Sequence, residues 1–321
     1  MEGCNVLVTG GTGMIGRFVV DQLIESGACV RVASLDDESR VPPDVEFMQV
    51  DLTQMHNCLD ACDGMDVVLH LAGIKGSPKS TSQQPASFFY STITFNTHMM
   101  EAARLQGVEK YLFTSSVGVY SPAPVLYEDD VWETFPSEND RFAGWAKRMG
   151  ELQAQAYKIQ YGWDKIAIVR PANVYGPFDN FDLTNAMVIP SIIYRILSGE
   201  NPLVIWGDGS AVRDFIYAKD VAEGCIMAIN NMPGLPINIG SGIGVSIKDL
   251  VTTIVEQCGV DVDVKWDTSK PVGDKIRLMD MARAKELLDF ESQTSLEEGI
   301  KQTVEWYRSS KHVPHTHSVF R

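Results

Sequence analysis

The feature that most constrains the fold is a glycine-rich loop between a short strand and a helix at the start of the chain. An apolar run, Asn5–Val8, leads into TGGTGMIG at residues 9–16, and apolar residues then recur with helical spacing. Gly10 and Gly13 permit a tight turn close to a pyrophosphate, and Gly16 lets the helix pack against the strand. The N-terminus of that helix would face the anion. The pattern therefore predicts a βαβ unit that binds a dinucleotide.

Alternating strand and helix patterns continue through about residue 172. Further strands are predicted at residues 29–33, 47–50, 66–70 and 110–114. This alternation predicts an α/β protein, a Rossmann doubly wound parallel sheet with a smaller C-terminal α/β substrate lobe. We assign residues 1–172 and 208–239 to the dinucleotide-binding domain and residues 173–207 and 240–321 to the substrate lobe. The ligand is expected in the cleft between them.

The end of the second predicted strand bears on the choice between NAD and NADP. An acidic residue that takes the ribose hydroxyls of NAD commonly stands there, and by spacing from Gly10 that position is Ser34. Asp36 comes slightly later, and Arg40 follows. A small hydroxyl with a nearby arginine accommodates a 2′-phosphate, which favours NADP. NAD remains the alternative, with Asp36 serving the ribose.

Charge and cysteine usage exclude several classes of protein. The formal net charge is −15, which argues against a nucleic-acid partner or an anionic membrane surface. The six cysteines do not have the spacing of a metal knuckle, so no metal site is predicted. Buried free thiols are expected. Cys58 and Cys62 would lie one helical turn apart, which leaves a redox pair as the alternative. The N-terminus has neither a basic segment nor a long apolar run. No signal peptide or membrane span is predicted, and a cytoplasmic location is expected.

Three further segments resemble a known family. They are TSSVGVY at residues 114–120, RFAGWAKRMGE at residues 141–151 and RPANVYGP at residues 170–177. Together with the glycine loop, their order and spacing are similar to those of extended short-chain dehydrogenases/reductases, in the NAD(P)-dependent nucleotide-sugar epimerase/dehydratase family. The resemblance covers nearly the whole chain. It implies hydride transfer between a nicotinamide cofactor and a nucleotide-diphosphate sugar.

The resemblance also implies a catalytic set with one member missing. Ser116 would hydrogen-bond the sugar oxygen where a carbonyl forms or disappears, and Lys147 would bind the nicotinamide ribose. In the family a tyrosine four residues before the lysine acts as general acid or base, its pKa lowered by the lysine. Here that position is Ala143. We hypothesise an engineered or lost-function substitution; if the alanine is natural, a non-catalytic NADP-dependent sensor or binding protein is the alternative.

Other contacts follow from the same resemblance. The implied cofactor contacts are Gly10, Gly13, Met14, Ile15, Gly16, Ser34, Asp36, Arg40, Asp51, Leu52, Leu71, Ala72, Gly73 and Lys147. The implied substrate contacts are Ser116, Asn173, Val188, Arg213, Lys270 and Arg277. Arg213 follows a glycine turn and would meet the nucleotide diphosphate, a role suited to a guanidinium. Helices near residues 88–106 and 144–161 form a dimer face in many family members, which predicts a homodimer.

The departures from the family narrow the reaction. The segment at residues 270–280 looks most like that of the GDP-fucose synthases, which suggests a GDP-linked sugar. Those enzymes epimerise with a cysteine and a histidine, whose positions here are Gly118 and Met187, and neither side chain can shuttle a proton. Dehydratases carry an acidic pair where this chain has Val117 and Gly118. The first expectation is NADPH-dependent reduction of a 4-keto sugar, and the alternative is an epimerase that works by transient hydride transfer with tightly held NAD.

Overall fold

A computed structural model describes residues 1–74, 76, 78–270 and 272–310 of the chain. Residues 311–321, at the end of the predicted substrate lobe, lie outside this part. The strands are β1 Asn5–Thr9, β2 Cys29–Ser34, β3 Glu46–Gln49, β4 Val67–His70, β5 Lys110–Thr114, β6 Val125–Leu126, β7 Ile166–Pro171, β8 Asn173–Tyr175, β9 Leu203–Trp206, β10 Val212–Tyr217, β11 Ile237–Ile239, β12 Gly244–Ser246, β13 Val264–Asp267 and β14 Ile276–Met279. The α-helices are α1 Met14–Glu25, α2 Met55–Cys62, α3 Pro78–Gln83, α4 Pro85–Leu105, α5 Arg141–Tyr161, α6 Val188–Leu197, α7 Ala218–Asn231, α8 Ile247–Cys258, α9 Ala282–Leu288 and α10 Leu296–Ser309.

The larger sheet lies in the predicted dinucleotide-binding domain. Within the described residues it has seven strands in the order β11-β7-β5-β4-β1-β2-β3, and all neighbouring pairs are parallel. The chain winds outward in one direction from β1 through β2 and β3, then returns to β4 and continues the other way. This reversal between β1 and β4 is the topological switch point at which open α/β sheets bind ligands. The predicted Rossmann doubly wound sheet is confirmed.

Helices cover both faces of this sheet because its central strands are apolar on both sides. Val6 and Val8 of β1 pack into one core with α1 and α7, whereas Leu7 between them packs into a second core with α2, α4 and α5. Successive side chains of a strand point to opposite faces, so an unbroken apolar run requires a layer on each side. The continuous apolar pattern of β1 is thereby explained.

The substrate lobe has its own sheets and its own core. Strands β12, β10, β14 and β6 are hydrogen-bonded in that order, β8 pairs with β10, and β13 pairs with β9. Buried side chains of α6, α8 and α10, such as Ile193, Leu250 and Ile300, form the third core. The range 208–239 contributes to both parts, because β10 pairs within this lobe while β11 joins the larger sheet.

Several strands of the larger sheet end at one edge, and this edge positions the site. Thr9 at the end of β1 is level with His70 at the end of β4, which is in turn level with Phe113 of β5. The loops that follow these strands therefore start side by side. Arg213 of β10 and Arg277 of β14 are register partners in the second sheet.

Neither a membrane-spanning helix nor a metal-binding cluster is found among the described residues. None of the described helices is long and apolar enough to cross a membrane. No group of three or more His, Cys, Asp or Glu side chains in the described part of the chain could hold a metal ion. The six cysteines are free thiols; Cys58, Cys62, Cys225 and Cys258 are buried, as expected, while Cys4 is partly buried and Cys29 is exposed.

Candidate active site

The loop between β1 and α1 is shaped by close backbone contacts. Gly10 has a φ of +69°, and a Cβ there would lie 2.9 Å from the Cα of Ala72. A Cβ on Gly16 would lie 2.2 Å from the carbonyl oxygen of Gly10. Neither position admits a side chain without backbone movement, so each glycine is required by the shape of the loop.

This loop fits the pyrophosphate of a dinucleotide. Gly13 is the N-cap of α1 and is extended, with φ −85° and ψ 178°, and no side chain caps the helix. The first backbone N–H groups of a helix have no intrahelical acceptor, so the start of α1 at Met14 and Ile15 offers donors to an anion. A Cβ on Gly13 would approach no closer than 3.4 Å to Gly10. The glycines keep this approach clear of side chains.

The end of β2 brings the predicted ribose contacts together beside the loop. Thr12 Oγ1 lies 2.8 Å from Ser34 Oγ and donates a hydrogen bond to Asp36 Oδ2 at 2.6 Å. Arg40 Nη1 lies 3.6 Å from Asp36 Oδ1. Arg17 donates to the backbone oxygen of Arg40 at 2.8 Å, which adds a second guanidinium to this corner. Sequence reasoning missed Arg17, although its place in the first turns of α1 could have suggested it.

The remaining predicted cofactor contacts lie after β3 and β4. Leu52 is buried, whereas Asp51 is exposed and accepts hydrogen bonds from the backbone and hydroxyl of Thr53. Leu71 and Ala72 follow β4, and the N–H of Ala72 donates to Thr9 Oγ1 at 3.2 Å. The Leu71–Gly73 segment thus lies against the glycine loop, as the small residues there suggested.

His70, the histidine at the end of β4, is enclosed in the core. Its Nδ1 is 2.8 Å from Thr9 Oγ1, its Nε2 is 2.9 Å from Asn96 Oδ1, and its side chain is fully buried. Burial, followed by the positive charge of Lys147, lowers the pKa of His70 to about 3. Both ring nitrogens are engaged, so His70 has a structural position rather than that of an acid/base group.

Ser116 and Lys147 are brought to the same strand end. Ser116 follows β5 and caps the 3-10 turn Val117–Val119, where its Oγ accepts from the N–H of Gly118 at 3.1 Å. Lys147, on α5, donates to the carbonyl oxygen of Thr114 at 2.7 Å, and its ammonium lies over the ring of Phe113. Burial lowers the pKa of Lys147 to about 8, and the Glu151 carboxylate acts in the opposite direction.

Ala143 lies in the first turn of α5 and is exposed. The next residue, Gly144, packs so closely that a Cβ there would lie 2.3 Å from the carbonyl oxygen of Gly118. This contact places the start of α5 directly beside the turn that follows Ser116. A side chain at position 143 therefore starts next to the Ser116 region, but the methyl group has no proton to transfer.

A buried polar network underlies this strand end. Arg170 forms a two-point ion pair with Glu151, with N–O distances of 2.9 and 2.6 Å, and both side chains are at most 2% exposed. Glu151 also accepts from the hydroxyl of Ser115 at 2.5 Å. Tyr120 donates to Asn238 and accepts from Arg170, so its hydroxyl is occupied within the core. The network anchors the residue next to Ser116 and holds Glu151 one helical turn from Lys147.

Two arginines of the substrate lobe lie side by side. Arg213 and Arg277 occupy paired positions of β10 and β14, and burial, followed by the charge of Arg277, lowers the pKa of Arg213. Arg213 does not pair with Asp208 or Asp214, whose carboxylates bind Ser210 and the Ser241 region. The carboxylates of Asp274 and Asp140 offset part of the repulsion between the two guanidiniums, and an anion between them would stabilise both further.

Arg277 of β14 also contacts residues beside Ser116 and at the start of α5. Its Nη1 donates to Asp140 Oδ2 at 2.9 Å, and its Nη2 donates to the carbonyl oxygen of Val117 at 2.9 Å. Asp140 is the N-cap residue of α5, and Val117 follows Ser116. Arg277 therefore joins the predicted substrate contacts to Ser116. Asp140 was missed from the sequence, because 137 residues separate it from its partner.

The other predicted substrate contacts are more dispersed. The side-chain amide of Asn173 donates to the carbonyl oxygen of Asp214 at 2.8 Å, which ties β8 to β10. Val188 is the first residue of α6 and is exposed. Lys270 is exposed, and its ammonium lies 5.9 Å from the ring centre of Trp206, which is itself 60% exposed. Trp206 is a flat apolar surface suited to a nucleotide base, and its exposure became visible only in the structure.

Comparisons with known proteins agree with this geometry. The model of the NAD dependent epimerase/dehydratase family matches residues 6–240. The chain is 30% identical over 317 residues to GDP-L-fucose synthase 1 of Arabidopsis thaliana, covering 95% of this chain and 94% of that protein. It is 29% identical over 321 residues to dTDP-4-dehydro-6-deoxy-D-allose reductase of a Streptomyces species, covering 96% and 98%.

A solved structure gives the same result for the fold. The UDP-N-acetylglucosamine 4-epimerase from Methanobrevibacter ruminantium M1, in complex with UDP-N-acetylmuramic acid, superposes with a TM-score of 0.86 at 29% identity, covering 96% of this chain and 99% of that one. The similarity therefore extends over both the larger sheet and the substrate lobe. The resemblance drawn from the sequence motifs is confirmed.

Proposed function

Because this chain belongs to the NAD dependent epimerase/dehydratase family, we propose that its site is built to reduce a GDP-linked 4-keto sugar with NADPH, and that Ala143 impairs this reaction. The observation that carries the proposal is the meeting of two predicted groups at the end of β5. Ser116 follows this strand, and Lys147 binds the carbonyl oxygen of Thr114 within it. The paired arginines Arg213 and Arg277 supply the anion site that a nucleotide diphosphate needs.

Each group has a distinct task in this proposal. The nicotinamide cofactor supplies the hydride when it is bound. Ser116 donates a hydrogen bond to the ketone oxygen, and the positive charge of Lys147 stabilises negative charge that develops nearby. A phenol at position 143 would deliver the proton to that oxygen, and Ala143 cannot.

The proposed substrate is a nucleotide sugar with guanine as its base. Arg213 and Arg277 would hold the diphosphate, while the exposed ring of Trp206 could stack on a base and Lys270 could hydrogen-bond it. The choice of GDP is supported by the resemblance of residues 270–280 and by the name of the Arabidopsis relative. The Streptomyces relative is named for a dTDP-linked sugar, so titration calorimetry with GDP, dTDP and UDP tests the base. Tight binding of dTDP or UDP without GDP would contradict the proposal.

The preference for NADP is supported by the residue types at the end of β2. Ser34 occupies the position expected of an acidic residue, and the guanidiniums of Arg40 and Arg17 lie near it, with Asp36 and Asp21 as their respective partners at 3.6 Å. A small hydroxyl with a nearby arginine accommodates a 2′-phosphate. The comparison of NADPH and NADH binding by fluorescence tests this preference, and tighter binding of NADH would reverse it.

A second candidate function is supported by Asp36. Its carboxylate is held by Thr12 beside the glycine loop, in a place where it could accept the ribose hydroxyls of NAD. Tightly held NAD with transient hydride transfer would make the protein an epimerase, the activity for which the Methanobrevibacter structure is named. The two functions differ in stoichiometry. A reductase consumes one reduced cofactor per product, whereas an epimerase consumes none.

The central test is Ala143→Tyr. Because general acid–base groups contribute about 10²–10⁴-fold, we expect reduction of a GDP-linked 4-keto-6-deoxyhexose to rise by that order, measured as loss of NADPH absorbance. Ala143 is exposed, so the larger side chain has room.

Ala143→Phe is the matched control, because it adds the ring without the hydroxyl and should leave the rate unchanged. An Ala143→Tyr protein that binds NADPH and nucleotide sugar but turns over neither a 4-keto sugar nor an epimerisation substrate would instead support a non-catalytic sensor.

We also propose that the protein is a homodimer through α4 and α5. These two helices pack against each other and expose large apolar side chains: Tyr90, Leu105, Leu152, Ile159 and Tyr161. Apolar area of this kind is typical of subunit interfaces. A monomeric mass by light scattering at micromolar concentration would contradict the proposal. A cytoplasmic location stays a prediction from the sequence.

A further inference from the structure

A gap lies between Ser116 and the carboxylate of Asp140. Gly118 lines this gap, and a Cβ built on it would lie 3.5 Å from Ser116 Oγ, 3.5 Å from Asp140 Cβ and 3.6 Å from Asp140 Cγ. These are ordinary contact distances, so the hydroxyl and the carboxyl group face the same small space from two sides. The space stays open because residue 118 has no side chain.

The carboxylate of Asp140 is held in place rather than free to rotate. Its Oδ2 accepts from Arg277 Nη1 at 2.9 Å, and the same guanidinium donates to the carbonyl oxygen of Val117. The N–H of Asp140 donates to the carbonyl oxygen of Ser137, and the side chain is 34% exposed. In the part of the chain that the structure describes, Oδ1 accepts no hydrogen bond. One oxygen is thus anchored, and the other is available to accept a proton.

Other titratable groups near Ser116 are already committed. The hydroxyl of Tyr120 is buried and bonded to Asn238 and Arg170. Both ring nitrogens of His70 are bonded in the core. Lys147 is tied to the carbonyl oxygen of Thr114. Among the described residues, Asp274 also has a carboxylate oxygen without a hydrogen bond, but this Oδ2 is buried 3.7 Å from Arg277 Nε. Asp140 is the partly exposed carboxylate that borders the space beside Gly118 and Ser116.

We propose that Asp140 is a proton-transfer group that exchanges hydrogen on the carbon next to the ketone of a bound 4-keto nucleotide sugar. This inference rests on the proposed substrate class, because the ketone must be held by Ser116. It needs neither hydride transfer nor the phenol missing at position 143. The carboxyl group of Asp140, the N-cap residue of α5, borders the space that a Cβ at position 118 would occupy.

The step balances without any oxidant or reductant. The C–H bond next to the ketone breaks, its proton goes to Asp140 Oδ1, and the electron pair moves into an enolate whose oxygen is hydrogen-bonded by Ser116. Return of a proton from Asp140, after exchange with water, restores the ketone. Solvent hydrogen replaces the original hydrogen, and the sugar is otherwise unchanged.

Deuterium exchange in heavy water tests the proposal. The full chain, with Ala143 in place and without nicotinamide nucleotide, is incubated with GDP- or dTDP-linked 4-keto-6-deoxyhexose, and uptake is followed by mass spectrometry and proton NMR. We expect incorporation next to the ketone at a rate clearly above that without protein. Asp140→Asn should reduce this rate by about 10²–10⁴-fold.

Glu138→Gln is the matched control, because Glu138 is two residues away and is 85% exposed, with its carboxylate 3.5 Å from Arg141 Nη1. It should exchange at the unmodified rate. Gly118→Ala is the second variant: its methyl group would fit at 3.5 Å from both groups without a clash, preserve the fold and obstruct the gap, so exchange should again fall. This variant keeps the proposal testable if Asp140→Asn loses nucleotide binding.

The possible results separate this inference from the proposed function. No exchange above background with either ketone, or full exchange in Asp140→Asn or Gly118→Ala, overturns the role of Asp140. Reduction by Ala143→Tyr is measured independently and can succeed in either case. If calorimetry shows that the chain binds neither nucleotide sugar, the substrate class fails and the inference fails with it.

Discussion

Two regions of the proposed site are built in different ways. At the end of β1, the loop is shaped by backbone contacts so close that Gly10 and Gly16 have no room for a side chain. At the end of β5, the proposed reaction centre consists of single side chains, Ser116 and Lys147, next to the exposed Ala143. A tightly packed loop changes shape when a residue changes, whereas an exposed side chain can be exchanged without moving the frame. Cofactor binding and catalysis can therefore be lost separately.

The largest expected effect concerns the buried network of Arg170 and Glu151 beneath Ser116. Like the glycine loop, and unlike Ala143, this network should not accept a substitution without a loss of stability. Glu151→Gln leaves the guanidinium of Arg170 buried without its counter-charge. Breaking a buried ion pair in this way costs about 3–5 kcal/mol, so the free energy of unfolding should fall by that amount in urea titrations.

The control is a solvent-exposed pair of the same type. Glu109→Gln removes the partner of Lys165, whose side chain is 48% exposed, and should cost about 0–1 kcal/mol. If Glu151→Gln and Glu109→Gln lowered the free energy of unfolding equally, the buried network would not stabilise the end of β5 more than an exposed ion pair does.

The next effect is expected in the glycine loop. Gly16→Ala places a Cβ 2.2 Å from the carbonyl oxygen of Gly10, so the loop must shift at a cost of about 1–3 kcal/mol, and NADPH should bind more weakly. In Gly13→Ala the nearest contact is 3.4 Å, and the loss of stability should be smaller. Thermal unfolding and fluorescence titration measure both variants. A Gly16→Ala protein as stable as the unmodified chain would show that the glycine loop accepts substitution as readily as the exposed position at the start of α5.

A pH effect is expected from His70, which lies in the core between the two regions. Its pKa is lowered from 6.5 to about 3, mainly by burial, so the unfolded chain binds more protons than the folded one between these values. The contribution of His70 to stability is complete above pH 6.5 and is lost as the pH falls, by up to about 1.4 kcal/mol per pH unit.

The contribution of His70 to the pH dependence of stability is measured against a variant whose residue 70 cannot titrate. His70→Gln should be less stable at neutral pH, but its free energy of unfolding should decline less steeply between pH 6 and pH 4 in urea titrations (about the range where the imidazole charges). If the free energies of unfolding of the two proteins declined in parallel, folded His70 would bind its proton as readily as it does in the unfolded chain.

The smallest effect is expected at the ribose end of the cofactor site. Asp36→Asn removes the carboxylate beside Ser34 while keeping a similar shape, and should improve NADPH binding relative to NADH by about fivefold, since an exposed charge at contact distance contributes about 1 kcal/mol. Arg40→Gln should shift the ratio the other way. Fluorescence titration of both cofactors checks the pair, and an unchanged ratio in both variants would place the 2′-phosphate elsewhere.

Much of the fold was predictable because local patterns determine it. Strand β5 was predicted with the bounds that the structure shows, Lys110–Thr114. Helix α8 likewise begins at a local cap, where the Ser246 hydroxyl accepts from the N–H of Asp249. Periodicity, turn glycines and helix caps are properties of neighbouring residues, so they can be read along the chain. The same holds for the glycine loop.

The parts that were missed depend on residues far apart in the chain. Nothing in the sequence near Asp140 indicates that Arg277 reaches it, or that Arg213 and Arg277 are neighbours on adjacent strands. Strand order and register decide such pairs, and they follow from the packing of the whole lobe. The exposure of the Trp206 ring also follows from the packing of the lobe, whereas Arg17 is local to the start of α1 and was overlooked.

The sequence by itself determined the α/β class, the dinucleotide loop, the family and the absence of a phenol at position 143, because each depends on residue types at short, regular spacings. Only the tertiary structure decided which residues surround position 143 and the neighbouring Ser116. It brings Asp140 to the gap beside Ser116 and Gly118, ties it to Arg277, and buries the pair Glu151–Arg170 below. These arrangements arise because packing two lobes around one sheet edge joins side chains whose positions the local sequence leaves open.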